Sequence, residues 1–278
     1  MKIVSSGKGL NSPEFYKNRN KRKRLKRILF LITFVLVLST LVYIVRLERF
    51  RIVEVLIEGD NIAGRDYIAE IVERELLGNY LLVIPRASAI FYPRGFIKGN
   101  LLAEFPRFRS VDLDLDSFRT LVINVEERVP FALYCVETSL SVETDNCFVL
   151  DEEGFIFAPA NFVSEFGYFI YTARVPIDDP VGAELLPSEE FRSLETFKES
   201  LAGLDIGFSK LEISSDDYGL VMSTGGQIIW RKDADRALIY TNLEAFLSDE
   251  VIVAQENFLE KVLYLDLRTE DKVFYKFK

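Results

Sequence analysis

No histidine occurs among the 278 residues. That absence alone excludes Ser-His-Asp and Cys-His nucleophile pairs, His-ligated zinc and an imidazole switch near neutral pH. Cysteine is almost as scarce. Cys135 and Cys147 are the only two, and their spacing gives neither a CxxC redox pair nor a zinc knuckle. An enzyme made from this chain would rely on carboxylates, lysine or tyrosine. Charge of either sign is locally missing as well. Residues 1–27 hold ten Lys/Arg and one acid, Glu14, whereas residues 47–278 hold 23 Lys/Arg against 42 Asp/Glu. The formal net charge of −9 averages two opposite regions. Such asymmetry reads as membrane topology rather than nucleic-acid binding.

Apolar side chains are abundant. A composition of 49% hydrophobic and 28% charged residues excludes disorder over the whole chain. The length suits one large or two modest domains of ~150 residues. Ile28–Val45 (ILFLITFVLVLSTLVYIV) carries no charge and as a helix would be ~27 Å long, close to the ~30 Å of a bilayer core. Tyr43 suits the interfacial aromatic belt. Lys17–Arg27 supplies eight basic residues just before the run, which keeps that end cytoplasmic by the positive-inside rule. The expected organisation is thus a basic cytoplasmic tail (1–27), a transmembrane helix (28–46) and an extracytoplasmic remainder. A cleaved signal peptide is the alternative, but Arg46, Glu48, Arg49 and Arg51 follow the run where a small-residue cleavage site would stand. A buried soluble helix would show a polar face. The basic cluster is a topology signal or, alternatively, a contact for anionic lipid headgroups.

Beyond the span, Arg51–Glu58 alternates as a strand, with Val53, Val55 and Ile57 on one face. Arg65–Leu77 reads as an amphipathic helix carrying Ile68, Ile71, Val72 and Leu76 in one stripe and stopped by Gly78. Phe96–Phe105 is a second helix candidate. Val111–Asp116 and Thr120–Glu126 have period 2. The order over 50–127 is β-α-α-β-β. From 128 to 278 short strand-like pieces dominate: Pro130–Cys135, Cys147–Leu150, Phe155–Ala158, Tyr168–Val175, Lys210–Ser214, Leu220–Ser223, Gln227–Arg231, Leu263–Leu267 and Val273–Phe277. Gly225-Gly226 reads as a hairpin turn. Two helices interrupt these strands, Ser188–Leu201 with Ser188 placed to cap it, and Ala234–Phe246. The fold class is α+β, with a mostly antiparallel β-domain after the smaller unit. In an exported domain the Cys135–Cys147 spacing suits a disulfide closing a hairpin loop; two unpaired thiols in adjacent strands are the alternative.

Chemistry-bearing clusters have plain structural explanations. Asp112, Asp114 and Asp116 line one face of a strand, as a solvated sheet face does, although three carboxylates in a row also suggest Ca²⁺. Asp151-Glu152-Glu153 falls where a hairpin turn should hold solvated acids. Glu126-Glu127 stands beside Arg128 as a local ion pair. Gly225-Gly226 lacks the strand–GxGxxG–helix context of a nucleotide loop. The aromatics fall on core positions rather than between basic residues. No catalytic, cofactor-binding or metal-binding residue is assigned, and neither nucleic acid nor a small-molecule substrate is expected as a partner.

Taken in order, these pieces resemble the FtsQ/DivIB family of bacterial cell-division proteins. Val53–Asn61 (VEVLIEGDN) is similar to the family's opening V-x-I-x-G-N step, and Gly78–Leu82 to its G-x-N-L-L. Phe105-Pro106 with Val111, then Leu121–Pro130 (LVINVEERVP), resembles F-P-x-V … T-L-x-I-x-V-x-E-R-x-P. Asp151–Phe157 resembles the D-x-x-G-x-x-F hairpin. Tyr264–Arg268 with Val273–Lys276 resembles the terminal I-D-L-R … V-Y-Y-K. Departures are a longer segment around Phe91–Phe96, no proline in the Asp116–Arg119 turn, and the cysteine pair. The resemblance implies a POTRA domain over 50–127, an extracytoplasmic β-domain over 128–278, and a non-enzymatic divisome scaffold at the septum. It also implies partners of the FtsB/DivIC and FtsL type and a strand edge near the chain's end that receives a partner strand.

Val273, Phe274, Tyr275, Lys276 and Phe277 are the candidate edge. The strand lies one residue from the end of the sequence, carries aromatics on both faces and is flanked by Lys272, Lys276 and Lys278, which favour an acidic partner segment. An edge paired inside the β-domain is the alternative. Two other functions share the layout: a membrane-anchored glycan-cleaving enzyme using a lone Glu, and a POTRA-bearing component of a secretion or adhesion system. Protease added outside spheroplasts is expected to digest residues 47–278 and spare the basic tail; an intact ectodomain after that treatment would reverse the topology.

Overall fold

The structure, a computed structural model, describes residues 13–59, 64–81, 83–136, 146–160 and 167–278, with the backbone alone for 13–20 and 22. Helix α1 (Pro13–Arg46) is longer than the apolar run: helix-favouring Lys and Arg carry it back through the basic cluster. Pro13 takes a first-turn place where its missing N–H costs nothing. Within it, Lys23–Arg46 is long and apolar enough to cross a membrane, with mean hydropathy 2.9 over its most apolar 18 residues. Thr33 and Thr40 donate their hydroxyls to the carbonyls of Leu29 and Leu36, each at 2.9 Å. Both threonine hydroxyls of the run are thus satisfied inside the helix, as a bilayer demands.

The chain divides into two compact units, one comprising residues 1–101 and 111–125, the other 102–110 and 126–278. After a 3₁₀ turn at Glu48–Phe50, the first continues with β1 (Glu54–Glu58), α2 (Arg65–Leu76), a short hairpin of β2 (Asn79–Tyr80) and β3 (Ile84–Pro85), and α3 (Arg94–Glu104). Then come β4 (Phe108–Leu115) and β5 (Thr120–Glu127), giving a sheet of order β1-β5-β4 with β1 parallel to β5. α2 buries Ile68, Ile71, Val72 and Leu76, the stripe its periodicity dictates, and α3 buries Ile97 and Leu101. Gly78, at φ +89°, follows the end of α2 in the left-handed conformation that glycine adopts most freely.

The second unit holds β6 (Ala132–Cys135), β7 (Cys147–Leu150), β8 (Ile156–Pro159), β9 (Phe169–Ala173), α4 (Ser188–Ala202), β10 (Phe208–Ile213), β11 (Asp217–Met222) and β12 (Gln227–Arg231). It ends with α5 (Arg236–Leu247), single turns α6 (Glu250–Val253) and α7 (Phe258–Lys261), β13 (Val262–Thr269) and β14 (Lys272–Phe277). All nine strands form one mostly antiparallel sheet, in the spatial order β14-β13-β12-β11-β10-β9-β6-β7-β8. The pairs β6–β9, β9–β10 and β12–β13 are parallel. Parallel neighbours need a crossover: α4 lies between β9 and β10, α5–α7 between β12 and β13, and β7 and β8 between β6 and β9. The apolar sides of these helices meet the sheet in one core, where Phe197 and Tyr218 pack against Trp230 at ring separations of 5.4 and 5.7 Å.

Two local expectations are corrected. Ser188 does not cap α4: Pro187 occupies the cap position, and Ser188 is already the first helical residue. The second helix begins at Arg236 rather than Ala234, because Asp235 caps it by accepting from the Ala237 N–H at 2.9 Å. Cys135 lies directly opposite Cys147 in the β6–β7 ladder, and the structure joins them in a disulfide with Cα atoms 4.1 Å apart. Both are buried in a small cluster with Leu133, Val149 and Phe157. Most of the acidic Ser/Thr-rich loop between them, 137–145, lies outside the described residues.

Gly154 turns the chain between β7 and β8 at φ +81°, and a Cβ there would stand 2.7 Å from Cγ of the buried Phe191 ring. Gly154→Ala is therefore expected to destabilise the protein by ~1–3 kcal/mol, read as a lower urea midpoint at unchanged slope.

Candidate functional site

Among the described residues, strand β14 stands at one end of the nine-strand order and is hydrogen-bonded to β13 on one side only. Alternation gives it two unlike faces. Tyr275 and Phe277 turn toward the helices, where Tyr275 meets Phe246 of α5 and Phe258 of α7 at 5.6 Å, and Phe277 meets Phe258 at 5.8 Å. Phe274 turns to the opposite face and remains 52% exposed. Val273 is half-buried against the main core, while Lys272 and Lys276 are exposed. The strand is anchored at both ends. Thr269 Oγ1 donates to Lys272 O at 3.0 Å, Lys278 N donates to Lys261 O at 2.9 Å, and Lys278 Nζ reaches the carbonyls of Thr224 and Glu260 at 2.7 Å. What the site offers chemically is a fixed row of backbone donors and acceptors flanked by half-exposed rings.

Below Phe274, the Asp266-x-Arg268 spacing puts both side chains on one face of β13. Arg268 grips Asp266 through Nε and Nη2 at 2.9 and 2.5 Å, and Nη1 reaches Asp217 at 3.3 Å. These hydrogen bonds hold the Asp266 carboxyl below its usual range and raise the Arg268 guanidinium.

The other acids separate by environment. Half-buried Lys98 pairs with Asp112 at 3.0 Å and Arg94 with Asp114 at 3.7 Å; Arg94 and all three aspartates, Asp116 included, are exposed. Among the described residues no three His, Cys, Asp or Glu are grouped to hold a metal ion. Asp151 corrects the expectation of a solvated turn: it is 2% exposed and ion-paired with Arg128. Its Oδ1 accepts from the N–H groups of Glu153 and Phe155, both at 2.9 Å, so this Asp builds the turn that Gly154 completes. Arg128 also stacks 4.0 Å over Phe155. The expected ion pair of Glu126-Glu127 with Arg128 is replaced accordingly. Glu127 pairs with Arg107 at 3.1 Å, Glu126 accepts from Ser110, and Glu152 and Glu153 pair with Arg109.

Sequence reading passed over one acid. Glu195 on α4 is 8% exposed, accepts from the Tyr171 hydroxyl of β9 and binds Lys198 Nζ at 2.6 Å. Lys198 Nζ lies 3.9 Å from the Phe169 ring centre. At ~100° per residue, Lys198 falls inside the Phe191–Leu194–Phe197–Leu201 stripe. A charge inside an apolar stripe was the available signal. Burial pushes the Glu195 carboxyl up, Lys198 opposes that, and Glu199 adds to it. A second carboxylate on the same helix, Glu190, accepts from the Tyr218 hydroxyl; burial and that bond raise Tyr218. Both glutamates are engaged by tyrosines of the sheet beneath α4.

Compared with known proteins, the chain matches no protein-family model and no curated protein.

The raised Glu195 fixes a sign. Between the unfolded carboxyl value of about 4.3 and its own higher value, the folded protein holds a proton that the unfolded chain has lost. Its contribution is therefore full at low pH and falls as pH rises through the raised value. Glu195→Gln should flatten that segment of the stability–pH curve, measured by urea unfolding across the range; an unchanged curve would show that other groups set it.

Proposed function

We propose that the protein is a bitopic membrane scaffold without catalytic activity of its own, of the FtsQ/DivIB cell-division kind. In this reading α1 spans the membrane with its basic end in the cytoplasm, and the remainder faces outward at the division septum. The smaller unit is then a POTRA domain, a reading supported by its two helices and its β1-β5-β4 order. The observation that carries the proposal is the open side of β14. An edge whose far ladder is unfilled among the described residues, with Phe274 exposed beside it, suits β-augmentation by an extended segment of a small coiled-coil, single-span protein of the FtsB/DivIC or FtsL type. Lys272 and Lys276 favour an acidic segment there.

The glycan-cleaving alternative requires a carboxylic acid open to substrate. Glu195 has the raised proton affinity, but it is buried and already engaged by Tyr171 and Lys198. The secretion or adhesion alternative would favour repetition of the smaller unit, and the described residues hold one such sheet.

A photo-crosslinking residue replacing Phe274 in dividing cells is expected to yield one adduct with a small single-span protein. The same residue at exposed Thr196 on α4 should yield none, and a fluorescent fusion should gather at midcell. Uniform membrane fluorescence with no adduct at position 274 would overturn the assignment.

A further inference from the structure

Leu81 is anomalous for a residue in water. Its side chain is 91% exposed, the highest value for a large apolar residue among those described. Its φ of +47° lies in the left-handed region, which disfavours any residue with a Cβ and which tight turns usually give to Gly or Asn. It sits at the tip of the β2–β3 hairpin, where Asn79 faces Pro85 and Tyr80 faces Ile84. Among the described residues, nothing in the packing of the first unit covers the leucine there.

The hairpin's neighbour accounts for it. β3 packs against α1, and Arg46 Nε, on the last residue of α1, donates to the Val83 carbonyl at 2.8 Å. Near the end of α1, Val45 is 3% exposed and Val42 half-buried, while Leu41, Tyr43 and Ile44 remain open. Val42 and Val45 belong to the uncharged run, and Val42 lies ~6 Å deeper along the helix than Arg46. One flank of the span's last turn is therefore already covered by protein. Leu81 is two residues from Val83, at most ~7 Å along the chain. The next segment is tied to the same place, since Ala89 N donates to Phe50 O at 2.9 Å and Ile52 N to Ala87 O at 2.8 Å. It leaves Ile90 51% and Phe91 42% exposed. Tyr80 lies under the Arg86 guanidinium at 5.5 Å, an amphipathic pair of the kind that settles at headgroup level. Arg46, Arg49, Arg51 and Arg86 are carried on these same stretches of chain, outnumbering the acids Glu48 and Glu73 that line a cavity with Arg51.

We infer that the β2–β3 hairpin is a second membrane contact: Leu81 enters the acyl boundary of the leaflet from which α1 emerges, Ile90 and Phe91 lie in the same layer, and the arginines meet lipid phosphates. The occupant is lipid because the patch is continuous with the flank of a helix that itself sits in lipid. Burial of Leu81 there removes its exposure to water, and the basic rim suits an anionic surface. The inference rests on α1 being a membrane span. It adds that the first unit is held at a fixed height and rotation against the bilayer rather than swinging from a single tether.

The test uses the full chain in nanodiscs of phosphatidylcholine and phosphatidylglycerol, with doxyl groups placed shallow in the acyl chains. Leu81→Trp is read as emission added to that of the buried native Trp230, and Tyr43→Trp reports the span. Both are expected to shift to the blue and to lose most of their added emission to the doxyl lipid. Phe91→Trp leaves the turn untouched, is expected to behave likewise, and replaces Leu81→Trp if near-ultraviolet circular dichroism shows that variant to be unfolded. Quenching at position 43 with none at the hairpin would overturn the inference and leave the span standing. Quenching at neither would remove the span and the inference with it. A hairpin signal indifferent to doxyl lipid but changing with the number of chains per disc would assign the patch to a second copy and overturn the lipid contact.

Discussion

The second unit depends on the seating of α4 across the middle of the nine-stranded sheet. Phe191, Leu194, Phe197 and Leu201 meet Tyr171, Leu211, Tyr218, Leu220 and Trp230 in the core. This contact makes the parallel β9–β10 junction possible, because α4 is the crossover between those strands. It also determines what happens to polar atoms on its inner side. Tyr171 and Tyr218 bring hydroxyls into the interface, and α4 answers with Glu195 and Glu190. An unpaired buried hydroxyl or carboxylate would cost ~1–3 kcal/mol or more, so each pair stands or falls together.

The same logic separates acids that look alike in sequence. Asp112, Asp114 and Asp116 are exposed, and the contacts of the first two with Lys98 and Arg94 add little. Asp151 is different in kind. Its carboxylate is buried, pinned by two backbone N–H groups and matched by Arg128. Removing either member of such a pair leaves a charge stranded, a loss of ~3–5 kcal/mol. Asp151, Gly154 and the Phe191 ring above Gly154 thus form one device that holds the β7–β8 turn to α4.

Periodic features were legible in the sequence. The α2 stripe, the α4 stripe, the Gln227–Arg231 strand and the Cys147–Leu150 strand follow from spacing alone, because one solvated face and one buried face force a repeat. The terminal strand could be placed, and its position at the sheet edge expected. What escaped was whatever depends on residues distant in sequence. Asp151 looked like any turn acid until Arg128 came to it from beyond two strands. Glu195 and Lys198 looked like helix-surface charges until Tyr171 and Phe169 rose beneath them. Ser188 offered a hydroxyl at the right place for a cap, but Pro187 already occupied the cap position. The β2–β3 hairpin was invisible because two-residue strands carry no period.

The strand order also has a kinetic meaning. β13 and β14 are joined by a tight connection, so this hairpin can close in ~1–10 μs without help from the rest of the chain. β12–β13 must wait for α5–α7 to cross over, and β6–β9 for β7 and β8 to be looped out. Distant pairings of that kind are slow. A chain emerging unfolded would thus acquire its terminal hairpin early, while both of its sides are open and the sheet that should occupy one of them is still unformed. Until β12 arrives, β13 and β14 are equally good templates for a foreign strand, and the lysines at positions 272 and 276 are the charges that keep the outer one from pairing at random.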